Sequence, residues 1–102
     1  MLRSRRRLPG ASGKPPEFEV YWTARAQEDR ERWRRYDRRA LTKIERLIAD
    51  IQEHPFSGIG KPEPLRYEWK GYWSRRITGE HRLVYRVEGD IIFIAQCRLH
   101  YN

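Results

Sequence analysis

Glu63 stands between Pro62 and Pro64, arginines follow at Arg75, Arg76 and Arg82, and His100 and Tyr101 lie at the far end of the chain. These residue types are the parts needed to cut RNA without a metal. A base removes the proton of a ribose 2′-hydroxyl. The oxyanion attacks the adjacent phosphorus in line, and an acid protonates the departing 5′ oxygen. Cations stabilise the charge that builds on the phosphoryl oxygens. Glu63 has the chemistry of the base. His100 has that of the acid, because an imidazole titrates near working pH. Arg76 and Arg82 can each grip a phosphate through a fork of N–H groups that lysine lacks. Tyr101 or Trp73 can stack on an unstacked base.

The same residues have bland explanations. A loop carboxylate such as Glu63 commonly pairs with a neighbouring arginine, and a histidine near a chain end is commonly just solvated. Arg75 and Arg76 are adjacent, so on a strand they point to opposite faces and one of them needs a structural partner. Tyr67, Trp69, Tyr72 and Trp73 are more often sheet and core residues than base platforms. Spacing alone leaves both sets of explanations open.

Composition narrows the classes. A chain of 102 residues fits one domain with one core. The net charge of +8, from 22 basic and 14 acidic residues, is unevenly spread. Residues 1–16 hold five basic residues and no acid, and the stretch Gly60–Val87 holds seven basic against three acidic. The excess in the folding part therefore collects around Glu63 and the arginines. That suits a polyanionic partner or a solvated basic face. The single cysteine, Cys97, rules out an internal disulfide and suits a reducing cytoplasm. No apolar run approaches the roughly 18 residues of a membrane span. His54, His81 and His100 are too dispersed for a zinc set, and Gly58-Ile59-Gly60-Lys61 is not a phosphate-cradling loop, so neither a metal nor another cofactor is expected.

Residues 1–16 are basic, carry Gly and Pro, and lack hydrophobic period, which predicts a disordered arm ahead of a domain over 17–102. Phe18–Trp22 reads as a first strand. Thr23 can cap a charge-rich helix over Ala24–Tyr36, with Ala26, Trp33 and Tyr36 as its narrow apolar side. Asp37 can cap a second helix over Arg38–Glu53, where Ala40, Leu41, Ile44, Leu47, Ile48 and Ile51 mark one face. His54-Pro55 ends it. After a loop rich in Pro and Gly come four strand-like runs: Leu65–Trp69, Tyr72–Ile77, His81–Val87 and Ile91–Cys97. Their connections are too short for crossover helices, so they should meander antiparallel. The last is apolar on both faces and reads as a central strand. The expected fold is α+β, β-α-α-β-β-β-β, with two helices on one face of a small antiparallel sheet.

Several of these stretches, in order, resemble one family. They are Pro55-Phe56 with Gly58 and Gly60-Lys61-Pro62-Glu63-Pro64-Leu65, then Gly71 with Trp73-Ser74-Arg75-Arg76-Ile77-Thr78, then Glu80-His81-Arg82-Leu83-Val84-Tyr85, and finally Cys97-Arg98 with His100-Tyr101. Over about residues 18–101 the sequence is similar to the YoeB/Txe toxins of the RelE superfamily. The resemblance implies a type II toxin–antitoxin toxin that cleaves mRNA in the ribosomal A site. It implies product ends of 2′,3′-cyclic phosphate, or its opened form, and 5′-hydroxyl. It places the general base on Glu63, the phosphate-binding arginines on Arg76 and Arg82, and the general acid on His100 with Tyr101 beside it. A family lysine falls on Arg66, which keeps the charge but is a different donor. The chain also departs in Asn102 and in the arm. The implied partners are the ribosome, an acidic antitoxin of YefM/Phd type and a second copy in a homodimer.

Other classes are a non-cutting module that docks on ribosome or antitoxin, a ribonuclease acting on free RNA, and a gyrase-poisoning sister branch. That sister branch lacks the acid–base set. The joint presence of Glu63, Arg82 and His100 distinguishes the cutting enzyme from the docking module.

Overall fold

The computed structural model describes residues 18–99; the basic arm, Glu17 and the three positions His100, Tyr101 and Asn102 lie outside the described residues. The chain begins with strand β1 (Glu19–Trp22), then helices α1 (Ala24–Tyr36) and α2 (Arg38–Glu53). Strand β2 (Glu63–Pro64), a short 3₁₀ turn (Tyr67–Trp69), and strands β3 (Trp73–Arg76), β4 (Arg82–Glu88) and β5 (Ile91–Gln96) complete it.

Both caps form as their residue types require. The Thr23 hydroxyl accepts from the Ala26 N–H, and the Asp37 carboxylate accepts from Arg39 and Ala40 N–H, which satisfies donors left free at each helix start. The apolar face of α2 lies on the sheet. Ile44, Leu47 and Ile51 are fully buried with Leu83, Tyr85, Ile92 and Ile94. Each such side chain contributes about 1.5–3 kcal/mol of transfer free energy. On α1 the inward positions are Ala26, Asp29 and Trp33. Tyr36, expected on the apolar side, is 74% exposed, while the acidic Asp29 is buried.

Two helices pack on one face of a five-stranded sheet of order β1-β5-β4-β3-β2. The last four strands meander antiparallel, as the short connections dictate. β1 pairs with β5 in parallel, with Tyr21 opposite Phe93, so the sheet is mixed rather than wholly antiparallel. Three reversals separate β2 from β5, so β2 runs opposite to both β5 and β1. β5 sits between β1 and β4, which accounts for its apolar residues on both faces.

The expected strand over Leu65–Trp69 is absent. β2 is two residues long and stops at Pro64, and Tyr67 takes φ +58° as the 3₁₀ turn begins. A left-handed residue cannot continue a strand, and the period-two alternation ends there. Leu65 is buried, whereas Tyr67 is 82% exposed rather than in the sheet.

Candidate active site

Arg75 organises the loop that carries Glu63. It is fully buried. Its Nε donates to the Tyr85 hydroxyl (3.1 Å), and Nη1 donates to Asp50 Oδ2 (2.6 Å) and the Ile59 carbonyl (3.1 Å). Nη2 donates to the carbonyls of His54 and Ser57 (2.7 Å). Five guanidinium N–H groups thus meet five acceptors. Asp50 also accepts from the Ile59 N–H (3.1 Å). Burial alone pushes the Asp50 carboxyl up, but the Arg75 and Ile59 hydrogen bonds outweigh it and hold the group below its ordinary value. The loop is pressed close: a Cβ on Gly58, at φ +116°, would stand 1.9 Å from Asp50 Oδ2. The Gly60 carbonyl accepts from Arg76 N–H at 2.7 Å, three residues before Glu63.

Arg76, next along β3, is exposed. Register places Glu63 opposite Ser74 and Arg76 opposite Arg82. Side chains alternate along strands, so Glu63, Ser74, Arg76, Arg82 and Val84 share the face away from the helices, opposite Arg75, Leu83 and Tyr85. Strand spacing of about 4.8 Å and a two-residue rise of about 6.7 Å put Cα of Glu63 about 8 Å from that of Arg76 and about 12 Å from that of Arg82. Two guanidinium residues directly opposite repel, and among the described residues no carboxylate forms an ion pair with either. Arg82 Nη1 instead makes long bonds to the carbonyls of Thr78 and Gly79, both 3.3 Å. Glu63 and Arg66 are exposed, and among the described residues Glu63 is not paired with an arginine and Arg66 forms no ion pair. Trp73 packs against Phe56 (centroids 4.8 Å apart) and the core, which spends it on structure.

The end of the described chain is held by α1 and returns to the start of β4. Thr23 Oγ1 donates to the Ala95 carbonyl (2.8 Å) and the Trp33 indole donates to the Cys97 carbonyl (2.7 Å). The Cys97 N–H donates to buried Asp29 (3.0 Å), which also receives Arg25. Burial and the Asp29 carboxylate push the Cys97 thiol up to about 12, so it is a packed side chain and no nucleophile. Leu99 then lies against the start of β4, its carbonyl accepting from Arg82 N–H (3.2 Å) and its N–H donating to His81 Nδ1 (2.8 Å). His100 and Tyr101 themselves lie outside the described residues. Among those described, no three His, Cys, Asp or Glu side chains cluster to hold a metal.

A family model for the YoeB-like toxin of bacterial type II toxin-antitoxin systems matches residues 22–101. The chain belongs to the YoeB toxin family. It is 48% identical to Toxin YoeB of Escherichia coli (strain K12) over 84 residues, 82% of this chain and 100% of that toxin. The solved YoeB/ParE toxin from Agrobacterium tumefaciens is similar at TM-score 0.79 and 48% identity, over 82% of this chain and 100% of that one. A YoeB dimer from Staphylococcus aureus is similar at 0.79 and 40%, over 83% and 99%. A heterotetrameric YoeB–YefM toxin–antitoxin complex from the same species is similar at 0.77 and 40%, over 82% and 98%.

In this YoeB-family chain the supporting roles of Asp29, Trp33, Asp50 and His81 were not read from the sequence, although Trp33 and His81 were named in it. Asp29 and Trp33 sit at helical spacing with Ala26, a stripe with an acid in its middle, and that spacing was the available signal. Asp50 and His81 gave none, because their partners lie 25 and 18 residues away in sequence.

Proposed function

We propose that this toxin is an endoribonuclease that cleaves mRNA in the ribosomal A site. The observation that carries the reading is the shared sheet face, where the Glu63 carboxylate, without an ion pair among the described residues, lies on the same side as two facing arginines, Arg76 and Arg82. That arrangement calls for an anion between the arginines and a proton-bearing group near the carboxylate. A ribose next to its 3′ phosphate supplies both.

In this mechanism Glu63 takes the 2′-hydroxyl proton and the 2′ oxygen attacks phosphorus. The P–O5′ bond breaks as His100 gives a proton to the leaving oxygen. The products are a 2′,3′-cyclic phosphate (or its opened form) and a 5′-hydroxyl. Arg76 and Arg82 hold the phosphoryl oxygens as charge grows on them. Exposed Arg66 meets the flanking backbone, and Tyr101 walls in a base.

The toxin domain is taken as residues 17–102, working in the cytoplasm. An acidic antitoxin of YefM type covers the basic face, in keeping with the similar YoeB–YefM assembly. The similar dimer supports a homodimer of this chain. No helix of the described chain is long and apolar enough to cross a membrane. Primer extension on a defined mRNA, with and without translating ribosomes, tests the reading. Cuts confined to A-site codons and requiring ribosomes are expected. Equal cutting of naked RNA would make it a general ribonuclease, and binding without cutting would make it a docking module.

A further inference from the structure

We infer that His81 is a positioning residue for the general acid: its Nδ1 pins the Leu99 peptide from which His100 extends. The inference rests on the reading of His100 as proton donor.

Leu99 adopts φ +66°, a left-handed conformation. For a residue with a Cβ this costs on the order of 1–2 kcal/mol, so it persists only where neighbours hold it. Both of its polar backbone atoms are held. The N–H reaches His81 Nδ1 at 2.8 Å, and the carbonyl receives Arg82 N–H at 3.2 Å. The two anchors are consecutive residues, and the second carries the guanidinium assigned to the phosphate. One joint therefore ties the origin of His100 to the phosphate-gripping end of β4.

His81 is itself fixed on several sides. Its N–H donates to Thr78 Oγ1 (3.2 Å), and its carbonyl accepts from Ile77 N–H (2.9 Å). Its ring stands edge-on to Trp33, centroids 4.8 Å apart and planes at 88°. Trp33 is buried, and its indole N–H holds the Cys97 carbonyl. The same tryptophan thus sets the imidazole and the chain two residues before Leu99. With Nδ1 accepting, the proton of the neutral ring is on Nε2. A side chain without an acceptor here leaves the Leu99 N–H to solvent and the left-handed turn held only through its carbonyl. A displacement of about 1 Å in a catalytic group costs about 10²-fold in rate.

The test uses the full chain and two substitutions. His81→Phe keeps a ring against Trp33 and removes the acceptor. His81→Asn places a carbonyl oxygen close to the Nδ1 position. The readouts are single-turnover cleavage of ribosome-bound mRNA and amide hydrogen exchange at Leu99. His81→Phe is expected to slow cleavage about 10²-fold at unchanged half-saturating ribosome concentration, with Leu99 protection lost. His81→Asn is expected to restore protection, and the rate to within about tenfold of wild type. If His81→Phe does not fold, His81→Gln takes its place, since its acceptor sits one bond too far. Wild-type rate and protection in His81→Phe would overturn the inference, as would equal losses in His81→Phe and His81→Asn. If the wild type itself does not cut, the endoribonuclease reading fails, and exchange alone decides: equal Leu99 protection with and without the acceptor removes the anchor.

Discussion

Replacing Arg75 by lysine separates the scaffold of the site from its chemistry. The guanidinium serves five acceptors: Tyr85 Oη, Asp50 Oδ2 and the carbonyls of Ile59, His54 and Ser57. An ammonium has three donors on one atom and lacks the fork. At least two of those acceptors lose their partner. At about 1–3 kcal/mol for each buried group left unpaired, the loss is about 2–6 kcal/mol. In a domain of this size 1 kcal/mol moves the melting temperature by about 4–8 °C, so Arg75→Lys should melt at least about 8 °C lower. The neighbouring Arg76→Lys, exposed and without an ion pair among the described residues, should stay within about 0.5 kcal/mol of wild type. It should instead lose cleavage rate, because the bidentate grip goes. Thermal melts followed by circular dichroism, with ribosome-bound mRNA cleavage on the same preparations, read both effects. An Arg75→Lys melt within about 2 °C of wild type would refute the accounting.

Gly58→Ala should destabilise the loop by more than 1 kcal/mol, since its Cβ would meet Asp50 Oδ2 at 1.9 Å and its φ of +116° disfavours any side chain; a denaturant midpoint equal to wild type would contradict this. Acid should loosen the same loop. The Asp50 carboxyl is held below its ordinary value of 3.8, so its contribution is complete above that pH and is lost as pH falls towards the lower folded value. Melting temperature should therefore fall more steeply below about pH 4 in wild type than in Asp50→Asn, and parallel profiles would count against the pair. Deleting residues 1–16 should leave the cleavage rate unchanged, since the family match begins at residue 22; a large loss would assign the arm a role.

The helices were legible because their signals are local. A clean 3.6 period over Arg38–Glu53 and capping side chains at Thr23 and Asp37 fix both elements from neighbours within a few residues. The meander was legible from its short turns. Leu65–Trp69 misled because Leu65, Tyr67 and Trp69 alternate correctly for a strand, while the backbone reverses at Tyr67. The parallel pairing of β1 with β5 has no local signal, since it joins Glu19 to Ile91. In the site, adjacency of Arg75 and Arg76 required one inward and one outward arginine; spacing alone could not say which, and only the family resemblance pointed to Arg76 as the outward one. Burial decides it: Arg75 has Asp50 below it, and Arg76 has solvent. Glu63, Arg76 and Arg82 were named by motif, but their common face follows from strand register. His81 appeared as a member of the Glu80–Tyr85 motif with no role of its own and as a histidine too isolated for a metal, and its partner emerges when the chain end folds back on β4.

The measurement that bears most directly on the account is single-turnover cleavage of A-site mRNA by Glu63→Gln, with the 3′ product end identified. The amide keeps the size of Glu63 and its exposed place opposite Ser74 and cannot take a proton. The account predicts a wild-type melting temperature, a rate lower by about 10²–10⁴-fold, and a 2′,3′-cyclic phosphate end from the wild-type enzyme. Cleavage by Glu63→Gln at the wild-type rate would contradict it.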